Sequence, residues 1–243
     1  MITNTLIQRR IEMFWGYGSL KSPVWFVGME EGLGFNTSEE QLEARFLATD
    51  GKTTVDMRRD MMQVQDHIKC VMNSPRIQPT WKYPIAICLY LKNRRVPLKE
   101  EIRNYQEFIL GDNIRKQDAV IELMPLPSNK AHESAWIYGK YGISGLNSRK
   151  EYIAIYKTKR VNELSSLIKN YSPKLVIFHS LGYFSDWTQV AGVKFEEMSS
   201  QMYFAENGDT AFCVIPQGSS FGMSYHRLYK FAEIISQKVQ FLH

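Results

Sequence analysis

The chain has 243 residues, and its 44% hydrophobic and 13% aromatic content is typical of a globular domain and argues against a disordered chain. Its three cysteines are far apart in sequence, which argues against a disulfide framework or a clustered-thiol metal site and favours the cytoplasm. The net charge of +5 favours polyanionic partners, and no apolar stretch reaches membrane-spanning length, so we expect no membrane association.

Helical and strand patterns alternate along the chain. In order, the predicted elements are helix 5–17, strand 24–28, a helix from Ser38, helices 55–72, 81–91 and 98–109, strand 119–123, helix 149–171, strand 174–178, a helix from Leu181, strand 211–215 and helix 224–239. The strands are short apolar runs, which is typical of strands buried in a parallel sheet. The alternation predicts a single α/β domain over residues 1–243, with three α/β/α layers and a central four-stranded parallel sheet.

Polar segments follow each of the four predicted strands, at 28–35, 122–128, 179–183 and 216–222. In open parallel sheets ligands bind at the carboxyl ends of the strands, so these segments define the expected site. The first segment is rich in glycine, but the glycine spacing is not that of a dinucleotide fingerprint, and no Gly-Lys-Ser/Thr of a P-loop follows. The glycines instead favour close approach of the backbone to a ligand.

Three glutamates are the candidate acid–base groups at these strand ends. Glu30 and Glu31 lie on a segment that we do not expect to bury both of them, and either carboxylate could orient or deprotonate a water. Capping of the next helix is the alternative explanation for this pair. Glu122 interrupts an apolar strand, so its carboxylate needs a ligand, a proton or a buried Arg or Lys partner.

The last strand end offers hydrogen-bonding groups for an anion or a phosphate. Gln217, Ser219 and Ser220 precede a helix, and their amides and hydroxyls suit an anion, although an ordinary helix N-cap is the alternative. Phe35 and Tyr138 could stack on a planar base. The basic excess of residues 91–116, with seven basic and four acidic side chains, is interpreted as a solvated surface.

The order of these motifs resembles the uracil-DNA glycosylase superfamily. That family's first motif reads roughly Gly-x-Asp/Asn-Pro-Gly/Tyr, and the chain has Gly28-Met29-Glu30-Glu31-Gly32 in its place. A second motif, Asn-Leu-x-Pro-Leu, is similar to Glu122-Leu123-Met124-Pro125-Leu126. The last motif, His-Pro-Ser-Pro, is similar to Gln217-Gly218-Ser219-Ser220, which precedes a helix with Arg227. The resemblance covers residues 24–239 and depends on the order of the motifs rather than on any one of them.

The resemblance implies a monomeric DNA-repair glycosylase without cofactor or metal, which hydrolyses the N-glycosidic bond of a damaged or non-standard base in single- or double-stranded DNA. Glu30 then takes the water-activating position, Glu122 reads the base edge, and Gln217 donates to the departing base. The other substrate contacts implied are Glu31, Gly32, Phe35, Tyr138, Ser219, Ser220 and Arg227. An ionised Glu122 only accepts hydrogen bonds, so we expect an amino-bearing base rather than uracil.

Two other functions remain open at the level of the sequence. A non-catalytic member could bind nucleic acid or nucleotides with the same fold and without the chemistry. A metal-dependent hydrolase could instead place Mg²⁺ or Mn²⁺ among Glu30, Glu31 and Glu122. Binding without turnover would identify the first of these, and stabilisation by a divalent metal would identify the second.

Overall fold

The computed structural model describes residues 2–33, 37–128, 136–217 and 224–238. Its strands are β1 (Gly16–Gly18), β2 (Val24–Gly32), β3 (Thr54–Val55), β4 (Asp118–Ser128), β5 (Leu175–His179), β6 (Glu196–Ser199), β7 (Met202–Asn207) and β8 (Thr210–Ile215). Its α-helices are α1 (Asn4–Met13), α2 (Glu39–Thr49), α3 (Gln65–Val71), α4 (Pro79–Asn93), α5 (Lys99–Phe108), α6 (Arg149–Tyr171), α7 (Phe184–Ala191) and α8 (Tyr225–Lys238).

All eight strands belong to one sheet, in the order β3-β1-β4-β2-β5-β8-β7-β6. The four central strands, β4-β2-β5-β8, are parallel to one another, whereas β1 and the β7–β6 pair extend the sheet with antiparallel ladders. The predicted α/β class is therefore confirmed. The predicted four-stranded parallel sheet is wrong, because those four strands are only the centre of an eight-stranded mixed sheet.

Helices cover both faces of the sheet. Side chains of β2 alternate in direction, as they must in a strand. Trp25 and Val27 pack into a hydrophobic cluster with residues of α1, α2, α6 and α7. Val24 and Phe26 pack into the opposite cluster, with residues of α3, α4, α5 and α8. Both clusters are buried, so the sheet is the shared wall of two cores and its strand ends are fixed on both sides.

Two central strands continue further than their apolar runs predict. The segment 28–32, expected to be a loop, is the second half of β2, and Gly28 and Glu30 pair with Glu122 and Met124 of β4. β4 itself continues through Pro125 and Pro127, five residues beyond its predicted end at residue 123. The β2–β4 register shifts between Glu30, which pairs with Met124, and Gly32, which pairs with Ser128. A step of two residues in β2 therefore faces a step of four residues in β4, and Pro125 and Pro127 lie in this interruption of the ladder.

The helix predictions vary in accuracy. The expected 149–171 helix is α6, and Ser148 caps it by accepting a hydrogen bond from the Glu151 N–H at 3.1 Å. The expected 55–72 helix is wrong over its first ten residues, since only Gln65–Val71 is helical. Among the described residues, none of the helices has the length and apolar composition to cross a bilayer.

Candidate functional site

A cavity of about 430 Å³ opens at the carboxyl ends of the central strands. Each of the four parallel strands contributes to its lining, with Glu30 from β2, Glu122 from β4, His179 from β5 and Gln217 just after β8. Helices α3 and α4 form the opposite wall. Its volume lies within the range of small-molecule sites, about 300–1,000 Å³. The structure therefore brings Glu30, Glu31, Gly32, Glu122 and Gln217, all proposed from the sequence, to one place.

Glu122 and His179, which line this cavity, form a row with Gly28 across three adjacent strands. Gly28 pairs with Glu122 of β4, and His179 follows Phe178, the β5 partner of Val27. A methyl group added at Gly28 would lie 2.9 Å from Glu122 Oε2 and 3.0 Å from His179 Nε2. The two polar side chains thus converge over the one position in the row that has no side chain. Glycine is needed here for space.

Neither convergent atom has a partner. Glu122 Oε2 and His179 Nε2 are both buried and make no hydrogen bond to any described residue. Glu122 does not form the buried pair with Arg or Lys that its position suggested; Arg160 donates to its backbone carbonyl at 3.0 Å, not to its carboxylate. Two unpaired polar atoms at the bottom of a cavity cost folding free energy, which a polar ligand would recover.

Burial sets the protonation of both groups. Burial, followed by the charges of Glu31 and Glu30, raises the pKa of Glu122 well above its usual value. Burial also lowers the pKa of His179, to about 4. Burial therefore favours the protonated carboxyl of Glu122 and the uncharged imidazole of His179. A protonated carboxyl both donates and accepts hydrogen bonds, unlike the ionised carboxylate assumed from the sequence.

Glu30 lies at the side of the cavity in an ion pair. Arg149 Nη2 is 2.9 Å from each oxygen of Glu30, and both side chains are mostly buried. Arg149 is the first residue of α6, so the Ser148 cap places its guanidinium at the strand end. Burial raises the pKa of Glu30, and the hydrogen bond and charge of Arg149 offset only part of that shift. Glu30 is consequently a better proton acceptor than an exposed carboxylate.

Glu31 has a structural role. Its carboxylate accepts hydrogen bonds from Tyr17 and Arg45 and from Arg10, whose Nη2 is 3.0 Å away. Burial acts to raise the pKa of Glu31, but Arg45, the His67 hydrogen bond and Arg10 outweigh it and leave that pKa well below the usual range. Contrary to expectation, Glu30 and Glu31 are both largely buried, because the strand points them toward different arginines.

The remaining predicted contacts lie in different places. Gly32 lines the cavity, and a Cβ there would meet no described atom within 4 Å, so its role in close backbone approach to a ligand stays a prediction. Tyr138 is buried away from the cavity and donates to the Pro127 carbonyl at 2.9 Å, so its predicted stacking on a base is wrong. Arg227 donates to the Ser200 carbonyl outside the cavity lining. The predicted contacts at Phe35, Ser219 and Ser220 lie outside the described residues.

Several residues at the cavity were not singled out as site residues from the sequence. Trp81 of α4, Tyr183 after β5 and His179 line the cavity, and Arg149 contacts the lining residue Glu30. The position of His179, immediately after an apolar run, was the available signal. Arg149 carries no comparable signal, because one basic residue after an N-cap serine is common on solvated helices.

The sequence matches no protein-family model, and a search of the curated proteins finds no match. Among residues 2–33, 37–128, 136–217 and 224–238, no group of three or more His, Cys, Asp or Glu side chains could hold a metal ion. Both oxygens of Glu31 already accept hydrogen bonds from arginines. The three-glutamate metal site therefore lacks one of its ligands.

Proposed function

We propose that the chain is a glycosylase that hydrolyses the N-glycosidic bond of a non-standard base in DNA. The observation that carries the proposal is the row of Glu122, Gly28 and His179, in which two unpartnered polar groups converge at the bottom of a base-sized cavity. The resemblance of the strand-end motifs to the uracil-DNA glycosylase superfamily supports the same reaction. A base turned out of the helix would insert its polar edge over Gly28.

The protonation of Glu122 changes the substrate expected. An ionised carboxylate would select an amino-bearing edge, but the raised pKa favours the protonated form of Glu122, which offers one donor and one acceptor side by side. That pattern complements a lactam edge, in which a carbonyl oxygen and a ring N–H are adjacent. Uracil, hypoxanthine and xanthine carry such an edge, and they replace amino-bearing bases as the substrates proposed.

The polar groups around the row have separate tasks in this mechanism. Glu30 is fixed by Arg149, and its raised pKa suits it to hold a water or to stabilise the positive charge that develops on the sugar. Gln217 donates a hydrogen bond to the departing base. Trp81 or Tyr183 provides a face on which the base stacks. The net charge of +5 favours contact with the DNA backbone.

The test is a single-turnover assay on oligonucleotides that carry uracil, hypoxanthine, xanthine or an alkylated base. Abasic sites are expected with at least one lactam base. Glu122→Gln keeps a donor and an acceptor, so we expect it to retain activity within about tenfold, whereas Glu122→Ala should lose about a hundredfold or more. Wild-type activity should fall as the pH rises through the pKa of Glu122, and Glu122→Gln should not show that loss. The exposed acid Glu163 provides the matched control, Glu163→Gln.

Absence of abasic sites with every base at high enzyme concentration would contradict the proposal.

The second candidate is a binding module with the same cavity and no chemistry. The Glu30–Arg149 pair favours it, because both oxygens of Glu30 already accept hydrogen bonds from Arg149, which leaves fewer acceptor sites for a water. Saturable binding of the same oligonucleotides without cleavage, unchanged in Glu30→Gln, would identify this module.

A further inference from the structure

A second cavity, of about 420 Å³, lies at the amino ends of the central strands. Its lining includes Val24, the first residue of β2, and Gln117, which immediately precedes β4. These are the amino ends of the central strands, and the cavity described above lies at their carboxyl ends. The length of β2 separates the two cavities, so the second is independent of the glycosylase proposal.

The lining of this second cavity has an apolar part and a cationic part. Its apolar wall contains Val24, Leu89 and Ile109 from β2, α4 and the end of α5. The lining also contains three cationic residues, Lys92, Arg115 and Lys116, and among the described residues no Asp or Glu is part of it. Arg115 pairs with Asp112 at 2.9 Å, whereas neither lysine has an ion pair with any described residue. The cavity therefore combines an aliphatic wall with two uncompensated positive charges.

Two exposed apolar side chains are sequence neighbours of lining residues. Phe108 is 53% exposed and Ile114 is 75% exposed, and they adjoin the lining residues Ile109 and Arg115 in sequence. Arg115 donates to the Phe108 carbonyl, which holds the two segments together. Large apolar residues exposed beside a cavity favour binding of an apolar group. The basic excess of residues 91–116, interpreted from the sequence as a solvated surface, faces this cavity in part.

We propose that the second cavity binds a single-chain anionic amphiphile, of the class of fatty carboxylates. The alkyl chain lies against Val24, Leu89 and Ile109, and the carboxylate lies within reach of the Lys92 and Lys116 ammonium groups. Burial of the chain supplies the hydrophobic contribution. The lysines select the charged head over a neutral one.

The experiment is calorimetric titration of the full chain with octanoate and with 1-octanol. Saturable 1:1 binding of octanoate is expected, with 1-octanol at least about tenfold weaker. The double variant Lys92→Glu/Lys116→Glu should weaken octanoate binding by about tenfold or more, because it reverses the sign of both lysine charges at the cavity. The matched control is Lys159→Glu/Lys194→Glu, which makes the same change in net charge on residues outside the lining and should bind as the wild type does.

Leu89→Trp gives a second measurement, because it fills the apolar part of the cavity and should abolish octanoate binding with the lysines intact. Equal affinity for octanoate and 1-octanol, or unchanged affinity in the Lys92/Lys116 double variant, would overturn the proposal. Binding to vesicles of mixed phosphatidylcholine and phosphatidylglycerol, without saturable binding of octanoate, would also overturn it and would identify the patch as a lipid-surface contact instead.

Discussion

At the scale of single residues, the site depends on one position without a side chain. Glu122 and His179 occupy neighbouring strands, and their polar atoms meet over Gly28. A carboxyl and an imidazole so placed would normally bond to each other or to a third group. Here they have no partner among the described residues, and burial favours the uncharged form of both. The row is thus arranged for a neutral polar ligand that can both donate and accept.

Gly28→Ala tests this arrangement directly. The added methyl would lie 2.7 Å from His179 Cε1 and 2.9 Å from Glu122 Oε2, so at least one of the two side chains must move. These are side-chain ends, and alanine suits a strand better than glycine, so we expect stability to change by no more than about 1 kcal/mol. Turnover or ligand binding should fall at least about tenfold, because Glu122 or His179, both in the cavity lining, is displaced.

Thermal unfolding and single-turnover cleavage, measured on the same preparation, check both parts of this expectation. Gly32→Ala is the matched variant, because it adds the same methyl to the same strand where nothing lies within 4 Å. Its effect on turnover should be much smaller. A Gly28→Ala protein that is fully active would show that the row is not the binding surface.

At the scale of elements, the sequence predicted the four apolar strands and missed those that depend on pairing. The central strands are continuous apolar runs, which is a local signal. β6 is largely polar and exposed, and it forms only because β7 lies beside it. Gly208-Asp209 between β7 and β8 is a hairpin signal that was available and overlooked, with Gly208 at φ +60°.

The predicted ends of β2 and β4 were wrong for a similar reason. Prolines normally end a strand, and nothing local shows that a register shift between Glu30 and Gly32 accommodates Pro125 and Pro127. The meeting of the strand ends was predictable, since it follows from parallel topology alone. The partners of each glutamate were not, because Arg149 lies 119 residues from Glu30 along the chain.

β1 shows how an edge element supports the site. It pairs with β4 over Ala119–Ile121, and the Glu122 N–H donates to the Trp15 carbonyl at 2.8 Å just before β1 begins. Gly16 has φ +146°, and a Cβ there would lie 1.9 Å from the Val120 carbonyl oxygen. A side chain at Gly16 therefore collides with backbone, which cannot move away as a flexible side chain can.

Gly16→Ala should consequently destabilise the protein by about 3 kcal/mol or more, since it must break the β1–β4 ladder. Gly51→Ala is the control: Gly51 also has positive φ, at +68°, but its Cβ would meet nothing within 4 Å, so the cost should be about 1 kcal/mol. Urea unfolding measures both values. Equal costs for the two variants would show that the close contact of β1 with β4 is not maintained in solution.

At the scale of the whole molecule, buried acids with opposite pKa shifts shape the dependence of stability on pH. Burial raises the pKa of Asp118 from 3.8 to about 6, and the hydrogen bond from the Gly111 N–H at 2.7 Å offsets only part of the effect. Arginine partners instead hold the pKa of Glu31 below its usual range. Asp118 therefore contributes stability at low pH that is lost as the pH rises, and Glu31 contributes stability that is lost as the pH falls.

Asp118→Asn separates these contributions. Folding binds a proton at Asp118 between its unfolded pKa of 3.8 and its folded pKa of about 6, so wild-type stability should decline as the pH rises through that window. Asparagine keeps an acceptor for the Gly111 N–H and cannot ionise, so the variant should lack this decline and gain about 2–3 kcal/mol over the wild type at pH 7.5. At pH 4 the two proteins should differ little.

Urea unfolding across this pH range measures the difference, with Asp209→Asn in the exposed β7–β8 turn as the control. If the variant kept the wild-type slope, Asp118 would be ionised in the folded protein, and its free oxygen would have to be hydrated rather than buried.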